Sequence, residues 1–219
     1  EPHAFYIDYN FLSSPPIAVQ QVKSEIVGMA GLAQRNFEAT LGMVASKDFA
    51  GKEEFDAAQR EIDFLNHEIA RFVSKLFSEQ LSAADRDYLG EALGTISDLE
   101  RVGDHSKRVL ECAQGLAAEG EYFSASALAE IGALGEREGE LFGQAIRAYE
   151  HEDEFEAVDA GMTALAITDQ AAQMSANHAQ RISEGTCTPD AGVSFLAVVS
   201  DIERVGAHFF RVAKTVRGV

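Results

Sequence analysis

A nonapeptide is written twice in this chain. Ser97-Asp98-Leu99-Glu100-Arg101-Val102-Gly103-Asp104-His105 returns as Ser200-Asp201-Ile202-Glu203-Arg204-Val205-Gly206-Ala207-His208, with only two positions changed. The motif glutamates, Glu100 and Glu203, are 103 residues apart, and Arg108-Val109 recurs as Arg211-Val212 at the same distance. Upstream, Glu25-Ile26 matches Glu130-Ile131 and Asp48 matches Asp153, each 105 residues on. A repeat of this length in a chain of 219 residues makes one half a structural copy of the other.

The apolar spacing says what each half is made of. Phe55, Ala58, Ile62, Leu65, Ile69, Phe72 and Leu76 advance by alternating steps of three and four, a stripe along one helix face that no strand can present. Val19, Val22, Ile26, Met29, Ala33 and Phe37 form an earlier stripe, and Leu89, Ala92, Ile96, Leu99, Gly103, Ser106 and Leu110 a third. Three more helices are expected around 128–149, 155–182 and 196–216. Breaks fall near 47–52, 78–82, 118–124, 150–154 and 185–189. Ser14-Pro15 and Thr188-Pro189 read as N-caps followed by proline at the first helical position, and Ser82 with Asp85 as a capping box stapled by Leu81. Short breaks favour antiparallel neighbours. The expectation is an all-α fold of six helices in two tandem, pseudo-symmetric three-helix bundles. Residues 1–13 are expected to be a linker or arm that packs its aromatic residues on the bundle. The domain would span 14–219, with repeat 1 at about 14–117 and repeat 2 at about 122–219.

Charge narrows the function. Against 18 Lys and Arg stand 36 Asp and Glu, a net charge of −18. This opposes binding to nucleic acid and to anionic membrane surfaces, whose phosphates are met by Lys and Arg. No apolar run is long enough to insert into a membrane. Cys112 and Cys187 are too few and too far apart for a disulfide framework or zinc motif, so a reducing, cytoplasmic setting is the default. The chain begins at Glu1 rather than Met, which suggests a fragment or a processed product.

Glu100 and Asp104 are four apart, which puts both carboxylates on one side of the third helix, about 6 Å from each other. Such a pair suits a hard or borderline cation, or ion pairing with a neighbouring helix. Duplication of the surrounding residues weighs against a merely solvated face. Gly103 and Gly206 sit mid-helix, where glycine costs about 1 kcal/mol relative to alanine, and point to close helix approach. Arg101 and Arg204 are expected to pair with acids on neighbouring helices. His105 and His208 are metal ligands or, more simply, packing histidines, and His67 and His178 carry the same default. Glu138 lies on the apolar spacing Ile131, Gly135, Phe142 and is either a buried, paired acid or a ligand. No Glu-x-x-His, His-Glu-x-x-His, Gly-x-Ser-x-Gly or Walker loop is present, so nothing supports an enzyme.

The repeated stretch Asp98 to His105 resembles the signature of PhoU and PhoU-like domains, and its return in a second three-helix unit resembles that fold. The resemblance implies metal clusters on the bundle surface held by acidic pairs four apart, and a role in regulating phosphate uptake. Carried over residue by residue, the metal candidates are Glu100 and Asp104 in the first repeat and Glu203 in the second, where Ala207 replaces the aspartate. The metal would be iron, zinc or another divalent cation. Tyr6-Ile7-Asp8 followed by Ser14-Pro15-Pro16-Ile17-Ala18 is similar to the lead-in to the cytoplasmic domain of bacterial Na⁺/phosphate cotransporters. Residues Glu61 to Ile69 resemble the second helix of those domains, and His178 to Ile182 the fifth. The expected role is a metal-binding, non-enzymatic regulatory domain of such a cotransporter, at the cytoplasmic face of the membrane. The alternatives are a free-standing PhoU-type regulator or a metal-free helical dimerisation module. The expected partner is the membrane domain of a phosphate transporter, in cis or in trans, with a homodimer as a further option.

Overall fold

The structure is a computed structural model and describes residues 1–216; the last three residues assigned to repeat 2 lie outside the described residues. Six helices follow a 3₁₀ turn at Tyr9–Phe11: α1 (Pro15–Ser46), α2 (Lys52–Leu76), α3 (Ala83–Ala118), α4 (Ala125–His151), α5 (Glu154–Ser183) and α6 (Pro189–Lys214). The described residues hold no strand. The expected all-α fold of two three-helix bundles is what the chain adopts. No helix among the described residues is long and apolar enough to cross a membrane.

The helix starts obey local chemistry. Ser82, Ser124 and Thr188 each accept a hydrogen bond from a backbone N–H three residues on, filling one orphan donor of α3, α4 and α6. Ser14 differs from expectation: its side chain makes no cap bond, and the prolines that follow it supply the start of α1. The repeat is also written in the turns. α1 ends on Lys47 at φ 56° and α4 on Glu152 at φ 52°, two non-glycine residues in the left-handed region. Each precedes an aspartate, Asp48 or Asp153, whose carboxylate accepts from the backbone N–H two residues later.

Four helices close into a ring, α1 on α3, α3 on α6, α6 on α4 and α4 on α1, with the most extensive contact between α3 and α6. α2 flanks α1 and α3, and α5 flanks α4 and α6. The stripes foreseen from spacing face this core: Ile62, Leu65, Ile69, Phe72 and Leu76 of α2 are buried, as are Leu89, Ile96 and Leu99 of α3. Phe37, Phe142 and Phe209 carry it across both repeats, with ring centroids 5.3 and 4.2 Å apart. Such pairs add about 0.5–1.5 kcal/mol each beyond area burial.

The N-terminal arm packs on the bundle through Ile7, Tyr9 and Leu12, while its other aromatic residues are exposed. Tyr9 is the aromatic residue that is well seated, its ring edge-on to Phe72 and its hydroxyl donating to Glu68 at 2.7 Å, whereas Phe5 and Tyr6 are exposed. The main anchor is polar: Oε1 of buried Glu25 accepts from the backbone N–H groups of Phe5, Tyr6 and Ile7 at 2.9, 3.0 and 3.3 Å. Its repeat counterpart, Glu130, takes Asn177 and Arg181 from α5 instead.

Candidate functional site

The two copies of the motif meet where α3 and α6 pack together. Leu99 and Val102 of one and Ile202 and Val205 of the other are buried. The polar residues then pair crosswise. His105 Nδ1 lies 2.8 Å from Asp201 Oδ1, and His208 Nδ1 lies 2.8 Å from Asp98 Oδ1. The imidazoles stack with centroids 5.5 Å apart. Arg108 and Arg211 stand outside, 3.6 Å from Asp201 and 3.4 Å from Asp98. Both histidines are buried, and burial holds the His105 imidazole below its ordinary pKa despite the Asp201 carboxylate. The motif's aspartate and histidine thus join the two repeats. This packing role was open to sequence for the histidines, but their partners were not foreseen, because each lies about a hundred residues away in the other repeat.

In the first repeat, Glu100 is half-buried and its Oε2 accepts from Asn66 Nδ2 of α2 at 2.6 Å. Burial raises its pKa, and the neighbouring Asp63 and Asp104 carboxylates push it further, against the milder pull of His67 and Arg101. Asp104 is exposed. A polar depression of about 530 Å³ joins Glu100, Arg101 and Asp104 to His105, Arg204 and His208. Asp63 and His67 were missed as companions of the motif pair. Their own spacing of four in α2 was the available signal, but only packing brings them to α3. Among the described residues, no three His, Cys, Asp or Glu side chains converge closely enough to hold a metal ion as they stand. Arg101 and Arg204 depart from expectation: both are exposed, and neither has a carboxylate within ion-pair distance among the described residues.

The second repeat is built otherwise. Ala207 is exposed and offers no oxygen, so Glu203 lacks the companion that Glu100 has. Glu138 of α4 is fully buried, with neither carboxylate oxygen hydrogen-bonded. Burial raises its pKa well above the ordinary range, and Glu203 raises it further. A methyl group on Gly206 would stand 2.7 Å from Glu138 Oε1, so this glycine makes room for the acid. At Gly103 the same room is taken by Gln59, which accepts from Asn36 of α1 at 3.0 Å. A cation needs several ionised oxygens. The first repeat sets two motif carboxylates four apart on α3, whereas the second sets Glu203 beside Ala207, with Glu138 buried nearby.

Comparison with known proteins agrees with this architecture. Residues 26–113 match the PhoU domain model. A Burkholderia sp. protein described as a phosphate-specific transport system accessory protein PhoU homolog is 23% identical, over 95% of this chain and 89% of its own length. The crystal structure of PhoU from Pseudomonas aeruginosa superposes with a TM-score of 0.82 at 18% identity, over 89% of this chain and 93% of that one. The phosphate transport system regulatory protein PhoU from Streptococcus pneumoniae gives 0.82 at 15% identity, over 92% and 94%. With its duplicated three-helix unit and crosswise-paired motifs, this chain has the fold of the PhoU structures, and residues 26–113 of its first repeat match the PhoU domain model.

Proposed function

We propose that the chain is a non-enzymatic regulator of phosphate transport that works as an accessory protein, contacting its transporter in trans from the cytoplasm. The observation that carries this reading is the match to a protein described as a phosphate-specific transport system accessory protein PhoU homolog. That description supports the free-standing regulator. The test is functional replacement. In cells lacking their own accessory protein, expression of this chain should restore the response of radiolabelled phosphate uptake to external phosphate. Uptake left unchanged, with the chain present at normal abundance, overturns the reading.

A metal role belongs to the first repeat. Glu100 and Asp104, with Asp63 and His67 from α2, would hold a divalent cation there. Bound, the ion would supply positive charge to a patch whose carboxylates otherwise repel. Glu203 would not contribute a second site. Asn66 already orients Glu100, and exposed Asp63, His67 and Asp104 would have to converge on it to complete the ligand set.

A further inference from the structure

The outer face of α5 is apolar, and nothing in the fold covers it. Phe155, Val158, Met162 and Leu165 are 85, 50, 65 and 70% exposed. They advance by three, four and three residues, so they form one stripe. The same helix buries Ala157, Ala160, Ile167, Ala171 and Met174 against α4 and α6. At about 100° per residue the two stripes lie on opposite sides of the helix. α5 therefore has two apolar faces and uses one.

The other repeat provides the internal control. α2 holds the same place against α1 and α3, yet its outward positions carry Glu53, Glu54, Arg60, Asp63, His67, Arg71 and Lys75, with Ala57 and Ser74 as the uncharged exceptions. The large apolar stripe is thus particular to the second copy and is not imposed by the shared helix position. Scattered exposed apolar residues are ordinary, but a four-residue stripe is not.

Charge selects the occupant. Glu154 and Asp159 border the stripe on its two sides, and Asp169 stands one turn beyond Leu165. α5 contains no Lys or Arg before Arg181, and the whole chain carries −18. A second copy of this chain would set acid against acid along the seam, and an anionic bilayer would be repelled in the same way. We infer that this face of α5 receives an amphipathic helix of a partner protein, with an apolar stripe bordered by Lys and Arg. The face involves neither copy of the motif, so its failure would leave the regulatory reading standing.

The test uses the full chain and two labelled synthetic helical peptides of about 18 residues, five turns long. Both carry leucines at three–four spacing; one has lysines along the borders and the other glutamates. Fluorescence anisotropy should show the lysine peptide binding at least about tenfold more tightly at low salt, with the advantage shrinking toward 1 M salt. Met162→Glu/Leu165→Glu should abolish that binding while circular dichroism is unchanged, since both side chains are exposed. Equal affinity for the two peptides, or no binding, overturns the inference. So does a dimer of the chain that the double variant dissolves, or a preference for anionic phosphatidylserine vesicles over the lysine peptide.

Discussion

His105 and Asp201 lie in different repeats and meet at 2.8 Å, and His208 and Asp98 repeat that contact in the opposite sense. Each copy of the motif is therefore completed by the other, and neither repeat carries the whole arrangement alone. Asp201→Ala should cost about 1–3 kcal/mol, because it strands a buried imidazole N–H. In a double-mutant cycle with His105→Ala, urea unfolding should give a coupling of about 0.5–3 kcal/mol. The pH dependence has a definite sign. Burial lowers the His105 pKa in the fold, so the unfolded chain takes up that proton first. The contribution is fully present above the ordinary value of 6.5 and is lost as pH falls through it. His105→Gln should flatten this part of the stability profile below pH 6.5.

Glu138 works in the opposite direction. Its folded-state pKa is raised by burial and by Glu203, so its stability contribution is present below the ordinary carboxylate range and is lost as pH rises toward the folded value. Glu138→Met removes the buried acid at similar volume. It should raise stability at pH 7 by about 1–3 kcal/mol, the cost of an unsatisfied buried polar group. The gain should shrink on acidification, which thermal melts at two pH values would show.

The two motif glycines should respond unequally to alanine. A methyl at Gly206 meets the carboxylate of Glu138, which is enclosed and has nowhere to go, so Gly206→Ala should cost about 1–3 kcal/mol. A methyl at Gly103 meets the amide of Gln59, which is half-exposed and able to swing outward. Gly103→Ala should then lose the Asn36–Gln59 hydrogen bond but regain about 1 kcal/mol of helix propensity, leaving stability nearly unchanged. Parallel chemical denaturation of the two variants would separate them.

If the first repeat holds a metal, metal content of protein purified without a tag should be close to stoichiometric. It should be lost in Glu100→Ala/Asp104→Ala with the helical fold retained. Glu203→Ala should leave the content unchanged, because Ala207 denies that glutamate a companion. Mass spectrometry of the three proteins decides it. Metal retained in the double variant would move the site elsewhere, and its absence from the parent would leave the carboxylates as ordinary neighbours of Arg101 and Asn66.

The helices and their order were legible in the sequence because apolar spacing and caps are local signals. Phe55 to Leu76 shows its buried face without any knowledge of what covers it, and Thr188 marks the start of α6 by itself. The duplicated nonapeptide was equally visible, but its meaning was not. Asp98 and His105 are seven apart in one copy, and nothing local says that each pairs with the other copy. Asp63 and His67 were hidden for the same reason, since only the packing of α2 on α3 sets them beside Glu100. The arm's aromatic contact through Tyr9 was legible, but its anchor on Glu25 was not, because it is made by backbone N–H, a donor that every non-proline residue carries.

That anchor makes the last prediction. Three backbone N–H groups converge on one oxygen of Glu25, a buried carboxylate whose negative charge suits them. Glu25→Gln keeps an oxygen acceptor but loses the charge and adds an amide N–H to the same pocket. Glu25→Ala removes the acceptor altogether. Amide hydrogen exchange at Phe5, Tyr6 and Ile7 should accelerate in both variants, more in the alanine. The core amides of α1 should keep their protection, because Ile26 and Met29 remain buried against the bundle. The global cost should be about 1–3 kcal/mol at most, since the freed N–H groups return to water. Tyr9 gives the arm a second hold through Phe72 and Glu68, so Tyr9→Ala combined with Glu25→Ala should loosen residues 1–13 further, leaving the Asp8–Gln21 hydrogen bond and the packed Ile7 and Leu12. Limited proteolysis would then cut within the arm while leaving the six-helix body intact. A parent protein cut there as fast as the double variant would mean that these contacts do not hold the arm in solution.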